Sequence, residues 1–136
     1  MDILKGLNSA QLDATKVIDG PIMVIAGAGS GKTKVLTHRI AFLIENGIDP
    51  FNILSLTFTN KAAQEMKERI SFMVGYDSSR NIWMGTFHSV FARILRVEHE
   101  KIGYPSNFTI YDTQDAKSLI KTIVKEKNLD DKLYKP

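Results

Sequence analysis

Residues 26–33 read AGAGSGKT, and what stands on either side of this glycine-rich stretch restricts the folds open to the chain. Before it, residues 22–26 (IMVIA) form a continuous apolar run with β-branched members. Such a run predicts a strand buried on both faces, as in a parallel sheet. After it, Val35, Leu36, Ile40, Leu43 and Ile44 recur at helical intervals until Asn46 and Gly47 close the segment. Strand, glycine-rich turn and helix in that order match the phosphate-binding pattern G-x-x-x-x-G-K-[ST], with Ala26 at the first glycine position. Gly27, Gly29 and Gly31 permit positive φ and close approach, so the N–H groups from Ala26 through Ala28 and Ser30 to Gly31 can face phosphate oxygens. The helix that follows adds its positive N-terminal end. Lys32 is then expected to bridge the β- and γ-phosphates of a nucleotide. The Thr33 hydroxyl is expected to complete the shell of a Mg²⁺ ion held largely by nucleotide and water.

The same alternation continues downstream. A strand is predicted over residues 53–58 (ILSLTF), a helix over about 60–73, a shorter strand over 82–85 and a helix over about 87–102. This order predicts right-handed βαβ units around a mostly parallel sheet, an α/β fold. Upstream, Ala10, Ala14, Val17 and Ile18 mark a short amphipathic helix over residues 8–18, ended by Gly20 and Pro21. Beyond Gly103, Tyr104 and Pro105 the character changes to a brief apolar run at 108–111 and an Asp-capped helix over 113–127. A second subdomain is expected to begin there. The final residues, LDDKLYKP, end without a cap or a packed element, which suggests a chain cut from a longer one.

With 136 residues, 43% of them hydrophobic, the chain fits one domain or one domain and the start of another. No stretch reaches the roughly 18 consecutive apolar residues of a membrane span, and the N-terminus lacks an apolar signal core. A soluble, cytoplasmic protein with no membrane partner is expected. Cysteine is absent, and His38, His88 and His99 have no zinc-site spacing, so a metal is expected only with a bound ligand. A formal charge of +3 is compatible with a polyanionic partner.

Three further segments accompany the loop: LNSAQ at 7–11, TFTNKAAQEM at 57–66 and GTFHSVFARILR at 85–96. Together with AGAGSGKT, over nearly the whole chain, they resemble the UvrD/PcrA/Rep-type helicases of superfamily one. The resemblance implies a RecA-like P-loop NTPase fold, a three-layer α/β/α sandwich. It implies a first RecA-like domain over residues 1–110, lacking its Walker B strand, and the start of an inserted helical subdomain over 111–136. It further implies ATP and Mg²⁺ as cofactors, single-stranded DNA and the remaining helicase domains of the parent chain as partners, and 3′ to 5′ polarity in DNA repair or replication.

Residue by residue, Gln11 resembles the adenine-reading glutamine, whose amide can pair with N7 and N6. Asn8 and Gln11 equally fit a capping box. Lys34 stands where many relatives carry an arginine against the base, and it lacks the planar guanidinium needed for stacking. Phe58 resembles the residue that meets a DNA base, with Thr57, Thr59 and Asn60 close to phosphate. On local grounds Phe58 instead ends a buried strand and Asn60 caps a helix. Thr86 and His88 match positions that touch the single-strand backbone, against the local reading of a capped helix with a half-buried histidine. Phe87, Phe91, Ile94 and Leu95 are expected in the core, with Arg93 and Arg96 on a solvated face.

Hydrolysis needs a carboxylate opposite the metal and a base to orient water, which relatives supply from an acidic pair after another apolar strand. FTIYD at 108–112 is a poor match, and Asp112 with Gln114 and Asp115 reads as a helix cap. The arginines that sense the γ-phosphate belong to a second RecA-like domain. Residues 1–136 are therefore expected to bind nucleotide without turnover or unwinding. Two alternatives remain: the motor subunit of a helicase-nuclease, or a standalone nucleotide- or single-strand-binding module ending at Pro136. If Gln11 reads adenine, Gln11→Ala weakens ATP more than GTP in a binding titration; equal weakening assigns it to the cap alone.

Overall fold

The computed structural model describes residues 2–130 and 132–134. Two compact units divide within one helix, the first Met1–Ile94 and the second Leu95–Pro136. The first unit runs α1 (Ser9–Lys16), α2 (Lys32–Glu45), a 3-10 turn (Pro50–Asn52), β1 (Leu54–Thr57), α3 (Asn60–Val74), α4 (Tyr76–Ser79), β2 (Trp83–Thr86) and the body of α5 (Phe87–Val97). The second holds the end of α5, a 3-10 turn (His99–Ile102) and α6 (Thr113–Glu126).

The described sheet has two parallel strands, paired Leu54↔Trp83, Ser55↔Met84, Leu56↔Gly85 and Thr57↔Thr86. A two-stranded sheet is marginal alone. Here it is held by a core of Ile40 from α2, Met66 and Ile70 from α3, and Ile53 and Ile82 at the strand entries. Leu43, Ile44, Met73 and Met84 pack around them. The buried Ser55 hydroxyl is satisfied by donating to the Met66 sulfur at 3.2 Å. Helices and a small parallel sheet in βαβ order give an α/β fold, as the alternation predicts.

The predicted strand at residues 22–26 does not form. The segment has no ladder hydrogen bonds, and Met23 (82%) and Ile25 (86%) lie exposed. Its apolar composition suits a sheet interior, but composition cannot supply the neighbouring strand or the covering layers that make such a strand stable. The described residues therefore display two strands of the expected sheet.

Smaller differences have local causes. α1 stops at Lys16, because Val17 turns extended (φ −67°, ψ 111°), and Val17 and Ile18 face solvent. Arg39 of α2 donates to the carbonyls of Val17 and Ala14, closing the C-terminal end of α1. On α5 the buried residue is Val90, whereas Phe87, Phe91 and Leu95 are exposed, contrary to the expected core stripe. Helical spacing identifies a face but not what covers it.

In the second unit, residues 108–111 form no strand. Asp112 caps α6, its Oδ1 accepting from the N–H groups of Gln114 (2.7 Å) and Asp115 (2.8 Å), while Asp115 accepts in return from Asp112. This is the predicted cap. No helix among the described residues is long and apolar enough to cross a membrane.

Ile70 is fully buried, so Ile70→Ala is expected to lower stability by about 2–5 kcal/mol in urea unfolding, whereas Ile25→Ala changes it by less than about 0.5 kcal/mol. Comparable losses in both variants contradict the exposed placement of residues 22–26.

Candidate functional site

The glycine-rich loop ends in a left-handed turn at Gly31 (φ 89°), from which α2 starts with no side-chain cap. Four other helix starts are capped by side chains: Asn8 on α1, Thr59 on α3, Thr86 on α5 and Asp112 on α6. The first-turn N–H groups of α2 thus lack the acceptor given to those helices, at an end whose dipole favours an anion. Lys32 Nζ donates to the carbonyls of Ala26 (3.1 Å) and Gly27 (2.7 Å), and the Ser30 hydroxyl donates to Gly27 at 2.7 Å. The loop is closed on itself by bonds that incoming phosphate oxygens can replace. Gly29 also has positive φ, and Gly27 to Ser30 are exposed.

Gln11 holds this loop from behind. Its Oε1 accepts from the Asn8 N–H at 3.1 Å, Asn8 Oδ1 accepts from the Gln11 N–H at 2.9 Å, and its Nε2 donates to the Ser30 carbonyl at 3.0 Å. The capping box is therefore present, and the same amide reaches the phosphate loop. A Cβ at Gly31 would stand 2.8 Å from Gln11 Nε2, the end of a flexible side chain that can move aside, so it is the positive φ that favours glycine there. Lys34 donates to the Gly6 carbonyl at 2.5 Å, which ties α2 to the N-terminal segment.

At the exit of β1, the Thr57 hydroxyl donates to the Thr59 carbonyl (3.0 Å), and Thr59 Oγ1 accepts from the Ala62 N–H (3.1 Å). Thr59, not Asn60, is the cap of α3; Asn60 is its first residue. Phe58 is 91% exposed, which removes the reading of a buried strand end. At the exit of β2, Thr86 is largely buried and accepts from the Ser89 N–H at 3.2 Å, while Ser89 Oγ donates to the Thr86 carbonyl at 3.0 Å. His88 is exposed, not half-buried. Thr33, Leu36 and Met66 line one cleft of about 360 Å³ together with Thr57, Phe58 and Thr59. Loop and strand edge thus share a cavity. Among the described residues no three His, Asp or Glu side chains cluster as a metal site.

The sequence profile of the UvrD/REP helicase N-terminal domain matches residues 7–136. The chain belongs to that family. Its relatives include the ATP-dependent DNA helicase PcrA of Staphylococcus aureus (strain Mu50 / ATCC 700699), 52% identical over 135 residues, which are 98% of this chain and 18% of that protein. PcrA of Staphylococcus epidermidis (strain ATCC 12228 / FDA PCI 1200) is 51% identical with the same coverage. The chain thus spans about a fifth of the length of these UvrD/REP relatives.

In this UvrD/REP domain the sequence-predicted residues fall into two groups. Gln11, Ala26 to Lys34 and the start of α2 surround the loop, and Thr57 to Asn60 with Thr86 and His88 occupy the strand exits. Sequence reasoning missed Arg39, and it missed the aromatic contacts of Phe87 with Phe58 (centroids 5.3 Å apart) and with Phe91 (6.4 Å). The i, i+4 spacing of Phe87 and Phe91 was the available signal. Helical spacing alone assigns such a pair to the core, because nothing in it reports that the face is open. Gly31→Ala is expected to lower stability by about 1–3 kcal/mol in urea unfolding, since the left-handed backbone strains any Cβ. A loss below about 0.5 kcal/mol contradicts the geometry of the turn.

Proposed function

We propose that this chain is the ATP-binding front end of a DNA helicase that couples ATP hydrolysis to translocation on single-stranded DNA, 3′ to 5′, and to duplex unwinding. The observation that carries the reading is the shared cleft, where Thr33 of the phosphate loop and Phe58 of the strand edge line one cavity. Family membership supports it, through relatives named as ATP-dependent DNA helicases. In the parent, residues 1–110 form the first RecA-like domain of a three-layer α/β/α sandwich, and 111–136 begin an inserted helical subdomain. The exposed apolar segment 22–26 then becomes an interior strand once further strands and layers are supplied.

Nucleotide binding uses groups already in position. Lys32 exchanges the Ala26 and Gly27 carbonyls for phosphate oxygens, and the N–H groups from Gly27 to Thr33 receive the remainder. The Thr33 hydroxyl would hold a Mg²⁺ ion brought in with the nucleotide, and that ion would neutralise phosphate charge. Gln11 faces the base while keeping its bond to Ser30, so adenine contact and loop shape are joined in one amide. On the other side of the cleft Phe58 stacks on a base, and Thr57, Thr59, Asn60, Thr86 and His88 line the path of the DNA backbone.

Asp112 is occupied in capping α6, and among the described residues no other carboxylate follows an apolar strand in the manner of the acidic pair. Groups that bind phosphate without orienting water do not accelerate hydrolysis.

Mg-ATP is expected to raise the melting temperature of the wild-type chain and to leave Lys32→Ala nearly unshifted, because ligand bound only by the folded state stabilises it by mass action. Equal shifts in both remove the phosphate-loop assignment. DNA-stimulated ATPase activity is expected to be absent from residues 1–136. Its presence, abolished by Lys32→Ala, places a catalytic carboxylate within this chain.

A further inference from the structure

An exposed phenylalanine ring explores several rotamers, and fixing one on binding a base costs conformational entropy that weakens the contact. Phe58 is the extreme case here, at 91% exposure on the turn between β1 and α3. Its backbone is bracketed by the Thr57–Thr59 hydrogen bond and the Thr59 cap, so the freedom that remains is in the side chain. On one side it meets Phe87, with ring centroids 5.3 Å apart and planes tilted by 39°. Phe87 in turn lies nearly parallel to Phe91, at 6.4 Å and 16°. The three rings form a row in which only the first has most of its surface in solvent.

The position of Phe87 is set by the backbone. The register pairs Thr57 with Thr86, so Phe58 and Phe87 are each the first residue beyond the last rung of the ladder. α5 starts at Phe87 itself, fixed by the reciprocal hydrogen bonds of Thr86 and Ser89 and by buried Val90. Gly85 lets that helix approach the strand, since a Cβ there would stand 2.7 Å from Ser89 Oγ and 3.0 Å from Val90 Cγ2. Phe87 is therefore held at its backbone beside a Phe58 ring that has far more of its surface in solvent.

We infer that Phe87 is a positioning residue for single-stranded nucleic acid binding: backed by Phe91, it acts as a stop that holds the Phe58 ring with one face open to a single base. The inference rests on the reading of Phe58 as a base platform. Contact between Phe58 and Phe87 leaves no slot for a base between them, so the base enters from the open face and Phe87 acts only through Phe58. Aromatic pairs of this geometry contribute beyond their buried area.

The test uses the full 136-residue chain. Binding of a ten-nucleotide oligothymidine carrying one 2-aminopurine is followed by anisotropy and by quenching of the 2-aminopurine, which reports stacking. Phe58→Ala is expected to weaken binding about 5- to 150-fold and to abolish the quench. Phe87→Ala weakens it about 2- to 10-fold with partial loss of the quench. The double variant binds like Phe58→Ala alone, and Phe87→Tyr behaves as wild type. Phe87→Leu keeps apolar volume for folding, checked by its urea midpoint, and is expected to bind like Phe87→Ala. Wild-type binding and quench in Phe87→Leu, or losses that multiply in the double variant, overturn the inference. Unchanged binding in Phe58→Ala removes the base-platform reading itself, and the inference with it.

Discussion

The arrangement depends on the parallel pairing of β1 with β2 in one register. Because Thr57 stands opposite Thr86, both chains leave the sheet at the same level, and both turn at once into helices capped by threonine. A slip of one residue would move every strand side chain to the opposite face. The core sets the register: Ile53 and Ile82 enter it at the start of the strands, where Met66 and Ile70 of α3 meet them. The Trp83 N–H bonded to the Ile53 carbonyl at 3.0 Å extends the pairing by one position. Apolar packing at one end of two short strands thus fixes the polar and aromatic edge at the other.

Parts of this were legible in the sequence for physical reasons. The loop-to-helix transition at Gly31 showed because glycine is needed where φ is positive, and the caps at Asn8 and Asp112 showed because a capping box has a fixed spacing. Residues 22–26 misled because an apolar run reports what a segment can bury, not whether a neighbour is there to bury it. The same gap explains Phe87, Phe91, Val17 and Ile18, which have the right periodicity and face solvent. Gln11 was ambiguous between capping and ligand contact. Its amide bonds both Asn8 and Ser30, so one side chain caps α1 and shapes the loop.

The cleft between Thr33 and Phe58 gives the site its economy. Thr33 lies in the first turn of α2 and Phe58 just beyond β1, and both line the cleft with Leu36 and Met66. Met66 also belongs to the buried core and accepts the Ser55 hydroxyl of β1.

The central claim is that two ligands meet two neighbouring edges of this unit, nucleotide at the loop and single-stranded nucleic acid at the strand exits. Residue-resolved NMR of the isotope-labelled chain, titrated separately with Mg-ATP and with oligothymidine, tests it most directly. Mg-ATP is predicted to shift amide signals of Gly27 to Lys34 and Gln11, and oligothymidine those of Phe58 to Asn60 and Thr86 to Ser89. Oligothymidine shifts confined to lysines and arginines away from the strand exits, or Mg-ATP shifts that spare the loop, would contradict it.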